Sequence, residues 1–158
     1  MSKAFTSEET ADQPAVVRPR APLPDGVPNY VTTRGLARLH AELEALRTRT
    51  GEADTLALRR ADLEERVATA EVVAPPAERT NVVRFGANVR VEGGSGTRAY
   101  RIVGVDEADA AHGRIAFVSP LARALLGREV GDSVTLRTPG GEQRLEILAV
   151  DYAADSDP

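Results

Sequence analysis

Residues 36–46 read LARLHAELEAL, and the spacing of their leucines indicates how the first half of the chain folds. Its leucines recur at positions 36, 39, 43 and 46. That spacing is typical of an apolar stripe along one helix face, of the kind that forms the seam of a coiled coil. Charged residues occupy the opposite face, and Thr32 stands where it can cap the start of the helix.

A second helix of the same type is predicted after a break at Gly51. The apolar positions then resume with Ala53, Leu56, Leu63, Val67 and Ala70. Two amphipathic helices joined by a short turn that contains glycine form an antiparallel hairpin. With about 17 to 20 residues each, the helices are expected to span about 26 to 30 Å. Pro75 and Pro76 are expected to end the second helix.

The segment before the hairpin, residues 1–29, has a different composition. It holds five of the ten prolines and only scattered apolar residues. Because proline fixes φ and lacks an amide donor, this pattern opposes both helix and sheet. We therefore predict a disordered, proline-rich tail over residues 1–29 and a short coiled-coil hairpin over residues 30–75, with a peptide docking motif in the tail as the alternative.

The segment after the hairpin, residues 80–153, is rich in predicted strands. Apolar and polar residues alternate over 87–92, and a glycine-rich turn follows at 93–96. Further strands are predicted at 99–105, 115–118, 134–137 and 145–150, the last two as a hairpin around Pro139. A short helix over 120–126 begins at Ser119 and is closed by Gly127. The sum is an α+β domain in which an antiparallel sheet packs against one short helix.

Composition excludes several classes of function. The chain of 158 residues has no cysteine, which excludes a disulfide scaffold and a thiolate metal site. Its net charge of −4 gives no general attraction to nucleic acid, so we expect no sequence-specific nucleic-acid partner. We expect no membrane span or secretory signal, and we predict a cytoplasmic monomer. His40 and His112 are too few and too distant in sequence to suggest a metal site, so we expect neither cofactor nor enzymatic activity.

Five short motifs keep a recognisable order along the chain. They are YVTTRGL at 30–36, RIVGVDE at 101–107, SPLARALL at 119–126, VGD at 130–132 and TPGGE at 138–142. In order and spacing they resemble the GreA/GreB family of transcription elongation factors, and the C-terminal motifs are of the GreB type. The resemblance covers roughly residues 30–153, with a gap in the middle.

The resemblance implies an FKBP-like C-terminal domain that grips RNA polymerase at the rim of its secondary channel. The candidate polymerase contacts are Ser119, Pro120, Arg123, Leu126, Asp132 and Pro139. Ser119 followed by Pro120 also has a purely structural explanation as a helix start, and the two roles can coexist. Prolyl isomerase activity is not expected, because the domain has few aromatic residues to line a pocket.

The predicted hairpin tip departs from the family. Gre factors carry an acidic loop there, which helps hold the catalytic Mg²⁺ of the polymerase, and that motif is absent from this sequence. Glu52 and Asp54 are the nearest candidates, although acidic residues at a helix start also serve simply to offset the helix dipole. The resemblance also implies that this hairpin is some tens of residues shorter than that of full-length family members, which removes about 15 Å or more of reach. A carboxylate that far from the catalytic metal cannot coordinate it, since Mg²⁺ binds oxygen at about 2.0 to 2.1 Å.

Two functions therefore stay open. One is an elongation factor of the GreA/GreB family acting at the secondary channel. The other is a polymerase-binding modulator that does not stimulate transcript cleavage. This second class resembles the regulators of nucleoside diphosphate kinase, a family that joins a short helical arm to the same C-terminal domain. A general interaction module unrelated to transcription is disfavoured by the C-terminal motifs.

Overall fold

The computed structural model describes residues 20–49 and 53–153. A helical hairpin forms the N-terminal part and a curled, largely antiparallel sheet forms the C-terminal part, which confirms the predicted α+β class. Residues 1–19 of the predicted tail and Glu52 of the predicted tip lie outside the described residues, so the disorder predicted for 1–19 stays a prediction.

The hairpin, here called the arm, consists of α1 (Thr33–Arg47) and α2 (Ala53–Thr69). Thr32 caps α1 as predicted, because its hydroxyl accepts a hydrogen bond from the Gly35 N–H at 3.0 Å. The leucine stripe faces the partner helix and is buried at Leu39, Leu43, Leu46 and Leu63. At 15 and 17 residues the two helices span about 22 and about 26 Å.

A parallel pair of short strands, which no sequence pattern predicts, closes the base of the arm. Strand β1 (Asn29–Val31) precedes α1 and strand β2 (Ala70–Val72) follows α2. The second helix therefore ends at Thr69, several residues before the prolines that were expected to end it. Strand β1 also begins inside the segment predicted as a tail, because the Asn29 side chain donates to the Arg66 carbonyl at 2.9 Å and anchors the chain there.

The C-terminal part is a five-stranded sheet in the order β5-β4-β3-β7-β6. Its strands are β3 (Asn88–Gly93), β4 (Gly96–Val103), β5 (Arg114–Ala116), β6 (Ser133–Thr138) and β7 (Gly141–Asp151). The predicted turn at 93–96 joins β3 to β4, and Pro139 lies in the turn between β6 and β7. One pair differs from the prediction: β4 and β5 run parallel, because two 3₁₀ turns carry the chain back so that β5 pairs with residues 101–103 at the end of β4.

A short helix, α3 (Pro120–Leu125), packs against β6 and β5. The core beneath it is aliphatic, as the composition predicts. Its buried members are Val83, Ala87, Val89, Val91, Ile102, Ala122, Leu125, Val134 and Ile147. Gly127 follows the helix at φ +80°, a conformation that ends the helix at small cost because glycine has no Cβ.

Three aromatic rings join the arm to the sheet domain. Tyr30 of β1 packs against Phe85 and Phe117 of the C-terminal domain, with ring centroids 5.9 and 5.5 Å away. Phe85 and Phe117 meet edge to face at 5.6 Å. Tilted and edge-to-face ring pairs add to the free energy gained by burial, so the two parts of the molecule are packed together.

Candidate functional site

The N-terminal end of α3 carries three of the predicted contact residues. The Ser119 hydroxyl accepts a hydrogen bond from the Ala122 N–H at 3.2 Å, which confirms the predicted capping role. Pro120 occupies the first turn, where a missing amide hydrogen costs nothing. Arg123 is exposed one turn later, whereas Ala122 and Leu125 are buried against the sheet. One face of α3 thus presents a proline and an arginine to solvent.

The other three predicted contact residues lie further along the same stretch of chain. Leu126 is half-buried at the C-terminal end of α3 and packs against the domain core. Asp132 is exposed in the turn before β6, and its carboxylate accepts a hydrogen bond from the Glu129 N–H at 2.8 Å. Pro139 is exposed in the turn after β6. The six residues therefore surround the α3–β6 unit, at the helix and in the turns at either end of the strand.

A cavity of about 100 Å³ lies behind this unit and does not look like a substrate site. Its lining includes Tyr100, Leu121, Leu136 and Leu145. Pockets that bind small molecules usually measure about 300 to 1,000 Å³. The cavity is smaller than that and has a single aromatic residue in its lining.

At the other end of the molecule, the arm tip is only partly described. Asp54 is exposed in the first turn of α2, which is the position that an interaction with the helix dipole requires. Among the residues that the structure describes, no group of three or more His, Cys, Asp or Glu side chains is arranged to hold a metal ion. Because Glu52 lies outside those residues, the pairing of Glu52 with Asp54 stays a prediction.

A buried polar contact, here called the joint, connects the arm to the sheet domain and is formed by Thr32, Gly35, Gly104 and Glu107. The buried Glu107 carboxylate accepts hydrogen bonds from the N–H groups of Thr32 and Gly104, each at 3.1 Å, and from the Thr32 hydroxyl. It therefore lies at the N-terminus of α1, where the helix dipole favours a negative charge. Gly35 makes room for it, since a Cβ at that position would stand 2.2 Å from the Glu107 Cδ.

Sequence reasoning did not find this joint. Glu107 ends one of the motifs quoted above, yet its role depends on contacts with residues 75 positions earlier. A glycine in the first turn of a predicted helix was the one available signal, because glycine there weakens the helix and needs a reason in packing.

A second, ionic contact lies beside the joint. The Arg66 side chain of α2 is buried, and its Nη1 stands 3.5 Å from Oδ2 of Asp106. Asp106 is the neighbour of Glu107 in the 3₁₀ turn that follows β4. Both helices of the arm are thereby fixed to the same turn of the sheet domain, α1 through Glu107 and α2 through Asp106.

No helix within residues 20–49 and 53–153 combines the length and the apolar character that crossing a membrane requires.

Comparison with known proteins adds three findings. The sequence model described as "Transcription elongation factor, GreA/GreB, C-term" matches residues 78–152. The transcription elongation factor GreA of Sinorhizobium medicae is 41% identical over 118 residues, which cover 73% of this chain and 70% of that protein. GreA of Acidiphilium cryptum is 45% identical over 94 residues, covering 58% of this chain and 60% of that protein.

Solved structures give a weaker likeness. A GreA/GreB factor from Nitrosomonas europaea is 29% identical with a TM-score of 0.43, covering 78% of this chain and 98% of that one. GreA factor homolog 1 of Thermus thermophilus is 21% identical with a TM-score of 0.40, covering 77% of this chain and 97% of that one.

Proposed function

Because this chain belongs to the GreA/GreB family of transcription elongation factors, we propose that it binds RNA polymerase and acts on the elongating enzyme at its secondary channel. The observation that carries the proposal is the 41% identity to GreA over 118 residues. An alignment of that length is longer than the segment 78–152, so the similarity extends into the arm. It therefore covers the two parts that such a factor needs.

The α3–β6 unit is the proposed docking surface. Ser119, Pro120 and Arg123 present one exposed or half-exposed helix face, while Asp132 and Pro139 flank the strand beneath it. An arginine on a rigid, capped helix suits a protein interface, where arginine is enriched and can pair with a carboxylate through two hydrogen bonds. The buried face of the same helix holds that surface on the domain core.

The joint between the two parts attaches the arm to the proposed docking domain. If the sheet domain binds at the rim of the channel, the contacts of Glu107 and of the Tyr30 ring keep the base of the arm against that domain. The position of the base of the arm at the channel is thus proposed to follow from the docking of the sheet domain.

The names of the relatives support a member of the elongation-factor family, and the reach of the arm is the separate feature that bears on whether this member stimulates cleavage. The relatives described above are named GreA, and the similarity includes part of the arm. We further propose that the protein works as a monomer in the cytoplasm and does not bind membranes. We also propose that it recognises no specific nucleic-acid sequence, which its net charge of −4 supports.

Binding to core RNA polymerase tests the proposal, with fluorescence anisotropy of the full chain as the measurement. We expect Arg123→Glu to weaken binding about tenfold or more, a change of about 1.4 kcal/mol. The matched control is Arg90→Glu, which makes the same change of charge at an exposed position of β3. The control should bind within about twofold of wild type, since isolated exposed charges contribute little to affinity.

Two results would overturn the proposal at different levels. Failure of the wild-type chain to bind polymerase would end the proposed function. Binding by wild type that Arg90→Glu weakens and Arg123→Glu does not would show that the protein docks through another face.

A further inference from the structure

Arg20, the first residue that the structure describes, reaches three carboxylates from three different parts of the molecule. Its guanidinium contacts Glu42 of α1, stands 3.5 Å from Oδ2 of Asp62 in α2, and donates to Oδ1 of Asp106 at 2.9 Å. The three acidic groups come within reach of one side chain only because both helices of the arm lie against the turn that carries Asp106.

This contact is buried enough to matter. The Arg20 side chain is 17% exposed and that of Asp106 is 6% exposed. Burial disfavours the charged guanidinium, but the hydrogen bonds to Glu42 and Asp106 outweigh it and raise the pKa of Arg20 above its ordinary value. Ion pairs screened from water lose less to salt and solvent than exposed ones do.

The backbone next to Arg20 is held as well. Arg66, which also faces Asp106, donates from Nη2 to the Ala21 carbonyl at 2.5 Å. The segment is thus fixed by one side chain and one carbonyl to residues of the joint region. Two points of attachment on consecutive residues make it a strap across the arm and the sheet domain.

The carboxylates would be poorly balanced without Arg20. Asp106 would retain one ion-pair partner, Arg66, with 3.5 Å between Nη1 and Oδ2. Glu42 would retain Arg59, with 3.9 Å between Nη2 and Oε1. Asp62 has no other ion-pair partner among the residues that the structure describes. Three negative charges from three elements would then repel one another across the contact between arm and sheet domain. The rings and Glu107 would still join the two parts, so the expected effect is a change in angle rather than separation.

We propose that Arg20 is a clamp that fixes the arm in one direction, and that withdrawal of the N-terminal strap releases the arm to other directions. The clamp is intramolecular, and it does not depend on the function proposed above. It makes the segment before the arm a control point for the direction of the arm. Any event that breaks the ion pairs of Arg20 with the three carboxylates changes the direction of the arm and leaves the contacts of the α3–β6 unit and of the joint intact.

The first test measures the direction of the arm. The chain has no cysteine, so Ala57→Cys on α2 and Thr135→Cys on β6, both exposed positions, accept two spin labels without competition. We expect one narrow distance distribution by double electron–electron resonance in the otherwise unchanged protein. Adding Arg20→Gln should broaden it or add a second distance. Arg38→Gln, the control, removes the same charge from an exposed residue of α1 near the same place and should leave it narrow.

The second test keeps Arg20 and measures how often the clamp opens. Trypsin cleaves after arginine only when the side chain can enter its pocket, so cleavage between Arg20 and Ala21 reports the open state. We expect Glu42→Gln to speed this cleavage about tenfold, as a loss of about 1.4 kcal/mol from the clamp would. The control Glu44→Gln removes an equal charge from the exposed side of the same helix and should not change the rate.

The proposal is overturned if Arg20→Gln gives the wild-type distance distribution, or if Glu42→Gln is cleaved after Arg20 no faster than Glu44→Gln. Neither measurement involves polymerase, so failure here leaves the proposed function standing, and failure to bind polymerase leaves the clamp standing.

Discussion

Gly35 lies in the first turn of α1, against the carboxylate of Glu107. In an ordinary helix, replacing glycine by alanine stabilises by about 1 kcal/mol. Here the added Cβ would stand 2.2 Å from Cδ of Glu107, whose oxygens are already held by hydrogen bonds from Thr32 and Gly104. The carboxylate cannot move aside without losing these hydrogen bonds, so replacing Gly35 by alanine should destabilise the protein where it would stabilise an ordinary helix.

We therefore expect Gly35→Ala to destabilise the protein by about 1–3 kcal/mol, the usual cost of overpacking a tight site. Urea unfolding followed by circular dichroism measures it. Gly94→Ala is the control, because a Cβ there meets no atom within 4 Å, and it should be close to neutral. A stabilising effect of Gly35→Ala would mean that Glu107 leaves the joint at little cost.

At the scale of elements, the end of β7 holds the start of the sheet domain through one hydroxyl. Tyr152 donates to the Val82 carbonyl at 2.6 Å and accepts from the Arg84 N–H at 3.0 Å. Partial burial raises the pKa of Tyr152 above its ordinary value of 10.0, against the opposing effect of the Arg84 N–H. The neutral hydroxyl is therefore favoured in the folded protein.

We expect Tyr152→Phe to cost about 0.5–1.5 kcal/mol at neutral pH, the net worth of a typical hydrogen bond. A raised pKa in the folded state means that this contribution is present below pH 10 and is lost as the pH rises through the folded pKa. The stability difference between wild type and Tyr152→Phe, measured by urea unfolding at pH 7 and above pH 10, should thus shrink at alkaline pH. A difference that stays constant would show that the hydroxyl ionises equally in both states.

The elements also show what sequence can predict. The two arm helices, the turn at 93–96 and the Ser119 cap follow from local periodicity and capping, and all are found, although the second helix ends at Thr69 and not at the prolines. The pairing of β1 with β2 was not predictable, because two three-residue strands leave no period and their partners are far apart in the chain. The same holds for the Glu107 joint, because its donor Thr32 lies 75 residues earlier, on a different part of the fold. The candidate contacts around α3 could be named from motifs, but their grouping around β6 needed the structure.

At the scale of the whole molecule, the reach of the arm matters for its proposed action in the channel. Its helices span about 22 and about 26 Å, and from the sequence we predict an arm shortened relative to the Gre factors and without their acidic tip loop. Catalysis by a placed charge is sensitive to position, with about 1 Å of misplacement costing about 100-fold in rate. We therefore expect little or no stimulation of RNA cleavage in backtracked elongation complexes, and inhibition of cleavage driven by an authentic Gre factor that competes for the same site.

RNA shortening in stalled complexes is the measurement, with a no-factor control. A chimera in which the arm is lengthened and given the acidic family loop should stimulate cleavage where the wild-type chain does not. Glu52→Ala combined with Asp54→Ala should leave binding to polymerase nearly unchanged, since neither residue belongs to the proposed docking surface. If wild type accelerates cleavage and this double substitution abolishes it, the argument from arm length is wrong.

The parallel pairing of β1 with β2 has a consequence for how such proteins can change over evolutionary time. Because Asn29 pairs with Ala70 and Val31 with Val72, the chain enters and leaves the arm at neighbouring points. Insertion or deletion of matched segments in α1 and α2 alters the reach of the arm and leaves that entry point, and the sheet domain beyond it, in place. Reach and attachment are then separate heritable traits, and a lineage can lose or regain one while selection preserves the other.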